Sequence, residues 1–302
     1  MVVLVRRCLP IATGILPIHH CAKMSSLVKQ TREQLGKLAS PDEFEALATA
    51  ILRAAVPAYA SLLHVGTNAS GRAVRSPVDG IDIRVHRGGR HLLLVQHTIT
   101  ARKGLRQKWL NNKSGDVAKA KAIFDKEVAR KAIQDATLVL TSTSDPDEVL
   151  IRDVHAAAGD GLRIDLWSAS RIADFLDRHP EGQWLREQQF GTESIRLSAS
   201  QARAISKQSL NDYLPLVARD DTVPRTLDAA LAEFAWTGRG AGFVIGESGL
   251  GKSTALRRLA DDWLAQGGIA LVLAHEHIEH ASTIEQAVAL GLRHWAPALE
   301  VG

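Results

Sequence analysis

The sequence predicts an α/β protein built of two units in tandem, and three observations predict it. First, apolar residues recur at helical spacing, then in an alternating hairpin, then as strand, helix, strand, helix, an order that gives a mixed sheet covered by helices. Second, this pattern weakens over residues 191–224, where Leu197-Ser198-Ala199-Ser200-Gln201 and Asp220-Asp221-Thr222-Val223-Pro224 read as linker and cap. Third, an α/β pattern resumes near Arg225, around a glycine-rich loop set between an apolar strand and a helix.

In chain order, Ser25 to Lys37 reads as a polar helix. Ser40-Pro41-Asp42-Glu43 then supplies a cap and a first-turn proline, and Phe44, Leu47, Ala48, Ile51, Leu52 and Ala55 follow at helical spacing until Pro57. Ser61 to Val65 is a short strand, and Gly66 to Gly80 a loop rich in Gly, Ser and Asn. Ile81 to His86 and His91 to Thr98 are strands joined by the turn Arg87-Gly88-Gly89-Arg90. A long helix is expected over Ser114 to Ile133, then strand Ala136–Thr141, helix Asp145–Ala157, strand Leu162–Leu166 and helix Ser168–Leu176. The second pattern is a helix to Phe234, strand Gly242–Ile245, the loop, a helix to Leu264, strand Ile269–Ala274 and a helix from Ser282.

The 302 residues are enough for two domains. The expected divisions are a leader at 1–23, a first domain at 24–190, a linker at 191–224 and the front part of a second domain at 225–302. The leader has Arg6 and Arg7 before an apolar stretch broken by Pro10 and Pro17, and the next methionine after Met1 is Met24, so the leader is expected to carry no structural element. Both cysteines, Cys8 and Cys21, lie in it, which excludes a disulfide framework or a four-cysteine zinc site elsewhere and suits the cytoplasm. Hydrophobic residues at 45% and charged residues at 23% exclude a disordered chain, and no run is long enough to predict a membrane partner. The net charge of +4 permits a phosphate-rich partner.

The strongest local signal is Gly246-Glu247-Ser248-Gly249-Leu250-Gly251-Lys252-Ser253, followed by Thr254. Glycines let backbone N–H groups turn inward around phosphates, and the helix N-terminus adds partial positive charge. Lys252 would reach the β and γ phosphates, and the Ser253 hydroxyl would hold Mg²⁺. Residues Gly246 to Thr254 resemble the phosphate loop of signal-transduction P-loop NTPases of the STAND and NACHT type, over about the last 75 residues of the chain. The resemblance implies ATP as the nucleotide. It also implies a fold that is incomplete here, with oligomerisation through a region beyond residue 302.

In the first domain, Val78-Asp79-Gly80-Ile81-Asp82, the hairpin and Val95-Gln96-His97-Thr98 resemble the Mrr-like branch of the PD-(D/E)xK restriction-endonuclease superfamily, over roughly Ser40 to Arg178. The resemblance implies a restriction-endonuclease-like mixed sheet and metal-assisted phosphodiester hydrolysis. Asp82 would be the first Mg²⁺ ligand and Gln96 the second, through its amide oxygen, with Glu45 contributing from the helix and Asp79 a lesser candidate. The family's lysine position is occupied by Thr98, which cannot supply a positive charge, and Lys103 is the residue expected to reach back. His97 should point to the opposite face of its strand.

Between Arg102 and Lys131 there are ten Lys or Arg and three Asp or Glu, with Lys103, Arg106, Lys108 and Lys113 near the expected site and Trp109 among them. That balance suits a nucleic-acid backbone or, equally, a solvated helix face. His275-Glu276-His277 and His280 imitate a metal cluster without its spacing. The expectation is therefore a nuclease-like, DNA-acting effector joined to an ATP-binding STAND-type switch, as in defence proteins. The alternative is a catalytically degenerate module that binds DNA or a protein partner on the same switch.

Overall fold

The computed structural model describes residues 2–5, 19–64, 78–86, 89–130, 133, 135–214, 226–237, 244–247 and 249–300. Two compact units emerge: Leu16–Thr192, and Met1–Ile15 together with Glu193–Gly302.

The unit Leu16–Thr192 is a sheet between two layers of helices. Its five strands lie in the order β2 (Leu63–His64), β3 (Gly80–His86), β4 (Gly89–Thr98), β5 (Asp135–Ser142) and β6 (Leu162–Trp167). The β2–β3 and β3–β4 pairs are antiparallel, and β4–β5 and β5–β6 are parallel, so the sheet is mixed. One face carries Leu92 and Leu94 against α3 (Arg102–Leu110), α4 (Asp116–Ala129) and α5 (Glu148–Ala158). The other carries Leu93 and Val95 against α1 (His19–Gly36), α2 (Pro41–Ala55) and α6 (Ala169–Arg178). A strand covered on both faces needs apolar residues in succession, and Leu92-Leu93-Leu94-Val95 is such a run, all of it buried.

Local chemistry sets the helix ends. The Ser40 side chain accepts from Glu43 N–H with Pro41 behind it, and Asp147 accepts from Leu150 N–H to start α5. The long helix expected over 114–133 is instead the C-terminal member of a pair, α3 and α4. After α6 the chain bends into α7 (Pro180–Phe190), with Gly182 at the bend: a Cβ there would collide with the Phe175 carbonyl oxygen, so only glycine fits. Asp177 anchors this corner, accepting from the Thr31 hydroxyl at 2.9 Å and pairing with the buried Arg186.

The second unit departs from expectation in three places. The leader is not bare: Val2–Val5 forms β1, antiparallel to β7 (Ile269–Val272), while α1, in the unit Leu16–Thr192, already begins at His19. The expected linker contains α8 (Ala199–Tyr213). The strand expected at 242–245 is not formed at Val244 or Ile245, the latter 92% exposed, while Gly242 and Phe243 lie outside the described residues. Both edges of β7 are taken. β1 pairs along one, and on the other Ala270 N–H and Val272 N–H donate to the hydroxyls of Ser206 and Ser209 at 3.3 and 3.2 Å. The rest is α9 (Thr226–Thr237), α10 (Lys252–Ala265), α11 (His275–Glu279) and α12 (Ile284–Trp295). Among the described residues no helix is long and apolar enough to cross a membrane.

Candidate functional site

The hairpin register decides which side chains meet. Asp82 pairs with Leu93, and cross-strand partners share a face. Asp82 therefore lies with Leu93 on the side covered by α2, where Ser61 donates to its Oδ2 at 3.0 Å. Gln96 alternates with Leu94 and so belongs to the opposite face. The register thus puts Asp82 and Gln96 on opposite faces of the hairpin, against the expected pairing.

Asp79 takes that place. Its N–H donates to the Val95 carbonyl at 3.0 Å, and its Oδ2 accepts from His97 N–H at 2.7 Å, two bonds that flank Gln96 along β4. Glu45, near the start of α2, feels the same carboxylate: burial first, then the charges of Asp79 and Asp42, push Glu45 up to about 7, with Lys108 opposing. Lys108 projects from α3, and its Nζ stands 3.0 Å from Oδ1 of Asp116, a carboxylate of zero exposure at the start of α4. Burial raises Asp116, the charges of Lys108 and Lys119 oppose that shift, and Asp79 adds to it. Glu45 and Asp116 thus both feel the charges of Asp79 and Lys108.

The other expected residues stand apart. The buried Thr98 hydroxyl donates to Thr100 Oγ1 at 2.7 Å and accepts from Thr100 N–H at 3.1 Å, which closes the turn after β4. Lys103 is exposed on α3, and among the described residues it makes no ion pair. His97 lies on the far face, between the Thr49 and Thr141 hydroxyls at 3.2 and 2.7 Å and edge-on to Phe44, as a packing residue. Among the described residues no three His, Cys, Asp or Glu side chains are grouped closely enough to hold a metal ion, the histidines at 275–280 included. In the sequence Lys108 is one cation of a basic stretch, and its facing depends on α3, which the apolar periodicity does not reveal. Nothing local marks Asp116 as buried.

In the second unit, Gly249 and Gly251 adopt φ of 80° and 76°, the left-handed turn that glycine permits, and Lys252 and Ser253 open α10, with Thr254 in its first turn. Ser248 lies outside the described residues. Lys252 Nζ donates to the carbonyls of Gly246 and Glu247 at 2.8 and 2.6 Å, so its ammonium is turned onto the loop's own backbone. Leu250 is exposed.

No family model matches the chain, and no curated protein matches it. Among solved structures it is similar to the MspJI restriction endonuclease in complex with a 27-mer oligonucleotide, at 13% sequence identity and a TM-score of 0.32, over 62% of this chain. The match spans 40% of the length of that protein, and the reading of the site rests on the residues of this chain.

Proposed function

We propose that the unit Leu16–Thr192 is a nuclease-like module that acts on DNA, with Glu45, Asp79 and Gln96 at its centre and Lys108 as the neighbouring cation. The observation that carries this reading is the electrostatic coupling of a helix carboxylate, Glu45, to a strand-end carboxylate, Asp79, whose two hydrogen bonds to β4 flank the buried Gln96. The donor set fits a hard cation. Two carboxylates close enough for one to raise the other's proton affinity are relieved by a divalent ion, and Gln96 adds a neutral oxygen. Mg²⁺ held by Glu45, Asp79 and Gln96 would polarise a phosphodiester and activate water. Lys108 supplies from α3 the positive charge that Thr98 cannot supply from β4.

The test is a plasmid-nicking assay with Mg²⁺ or Mn²⁺, paired with Mn²⁺-dependent thermal stabilisation. Asp79→Ala is expected to abolish both, Lys108→Ala to reduce nicking at least ten-fold while sparing Mn²⁺ binding, and Asp82→Ala to leave both nearly intact. Nicking that survives in Asp79→Ala but not in Asp82→Ala would return the site to the other face of the hairpin. A second reading, a module that holds DNA without cutting it, is favoured by Thr98 alone. It predicts DNA retention with no metal-dependent nicking in any variant.

We further propose that Gly246 to Thr254 take the triphosphate of a nucleotide, ATP by the resemblance of the loop, with Ser253 on Mg²⁺. The left-handed glycines and the lysine at a helix start support this. Binding requires Lys252 to leave the two carbonyls it now occupies. A labelled ATP analogue that binds the wild type and Lys252→Ala equally would remove this part of the proposal.

A further inference from the structure

A second feature lies at the carboxyl ends of the parallel strands, where open α/β sheets take their ligands. There a cleft of about 370 Å³ is lined by Lys29 and Arg32 of α1, Arg102 at the start of α3, and Thr143, Ser144 and Asp145 just beyond β5. Its floor is tied to the end of β4: Thr143 N–H donates to the Thr98 carbonyl, and the Ser144 hydroxyl to the Thr100 carbonyl, both at 3.2 Å.

The charges in the cleft are unevenly matched. Asp145 is fully engaged. Its Oδ1 accepts from Ser170 N–H at 2.8 Å, and its Oδ2 accepts from the Ser170 hydroxyl at 2.9 Å and from Arg32 at 2.6 Å. Burial works against its ionisation, but these hydrogen bonds, one from Ser168 and the Arg32 charge hold its carboxyl below the usual range. Asp145 therefore stays an anion that is already neutralised where it stands. Glu33 is the other acid on the wall, which it shares with Lys29 and Arg102, neither of which makes an ion pair among the described residues. The Thr143 hydroxyl, also without a partner among them, adds a neutral donor.

We propose that this cleft holds a phosphate of the nucleic-acid backbone, on the strand that also passes the centre formed by Glu45, Asp79 and Gln96. The chemistry is that of phosphate recognition generally: two cations, Lys29 and Arg102, that make no ion pair among the described residues, a third, Arg32, held by Asp145, and a hydroxyl donor. Nothing in the cleft reads bases, so the cleft fixes the position of the strand and is indifferent to sequence. The inference rests on the DNA-acting reading of this unit, and the experiment separates the two.

Binding of a fluorescein-labelled 20-base-pair duplex is measured by anisotropy across a salt series, without divalent ions. The wild type is compared with Arg102→Ala, Arg32→Ala/Arg102→Ala and, as a control outside the cleft, Lys126→Ala. Arg102 makes no ion pair among the described residues, so Arg102→Ala changes the cleft without removing a described contact of the fold. In parallel, thermal stabilisation by inorganic phosphate is compared with chloride at equal ionic strength. The expected result is duplex affinity about ten-fold weaker in the double variant, with a log–log salt slope smaller by about 0.9, the value for one phosphate left unneutralised. Phosphate stabilisation should vanish in both cleft variants and persist in Lys126→Ala. Duplex binding that is equal in all four proteins would overturn the cleft while leaving the DNA-acting reading in place. If the wild type binds no duplex, that reading fails, and the phosphate arm alone decides: stabilisation lost with Arg102 keeps an anion site, and stabilisation absent from the wild type removes it.

Discussion

Glu45 shows how a single carboxylate links stability to chemistry. Its folded-state value of about 7 stands above the ordinary glutamate value of 4.5, so the folded state holds the proton more tightly than the unfolded chain does. Folding then loses free energy as pH rises from about 4.5 through about 7, where the unfolded chain has already released the proton and the folded chain must follow. Glu45→Gln removes this slope. Its melting temperature should exceed that of the wild type at pH 8 and match it at pH 5, as read by circular dichroism, and a wild type equally stable at both pH values relative to the variant would contradict the assignment. Mg²⁺ should narrow the gap at pH 8 by favouring the ionised form. The sequence made the types of the candidate residues legible, but not their company. Asp79 and Asp82 are three positions apart, and the choice between them turns on hairpin register, where one residue exchanges the faces. The turn residues Arg87 to Arg90 fit more than one loop length, and the His86–Gly89 pairing that settles it is a property of the folded hairpin.

At the scale of elements, strong amphipathic patterns were readable and polar ones were not. Phe44, Leu47, Ile51 and Leu52 announce α2 because its packing is apolar throughout. The helix α8 reads as linker because its buried face includes Ser206 and Ser209, each with zero exposure. Those serines return one hydrogen bond each to their own helix, to the carbonyls of Ala202 and Ser206, and receive one each from β7. They cover a strand edge that would otherwise need another strand, a role no hydropathy pattern encodes. Ser206→Ala and Ser209→Ala each strand a buried amide and should cost about 1–3 kcal/mol, measured by urea denaturation. Ser206→Thr, which keeps the hydroxyl, should cost less than Ser206→Ala. Equal losses for the two Ser206 variants would make the effect one of packing rather than of edge coverage.

At the scale of the whole molecule, the order of elements through residue 176, α3 apart, was legible because each covers a neighbour in sequence, whereas the β1–β7 pair joins segments far apart in the sequence. Val2 meets Val272 and Val5 meets Ile269. A chain begun at Met24 loses this strand and the first turn of α1. It should show a distinct lower-temperature unfolding step, with amides of Ile269 and Leu271 exchanging faster, while the duplex affinity of the unit Leu16–Thr192 is unchanged. A melting curve identical to that of the full chain would show that β1 contributes nothing. The same pairing orders events during synthesis. Residues 2–5 leave the ribosome long before their partners and must wait until residues 269–272 emerge, and the whole of Leu16–Thr192 appears in the interval. The central unit can therefore be complete and competent for its own ligand while the terminal unit is still unable to close. A nascent chain halted near residue 200 already contains every residue assigned to the DNA-acting centre and none of the nucleotide loop.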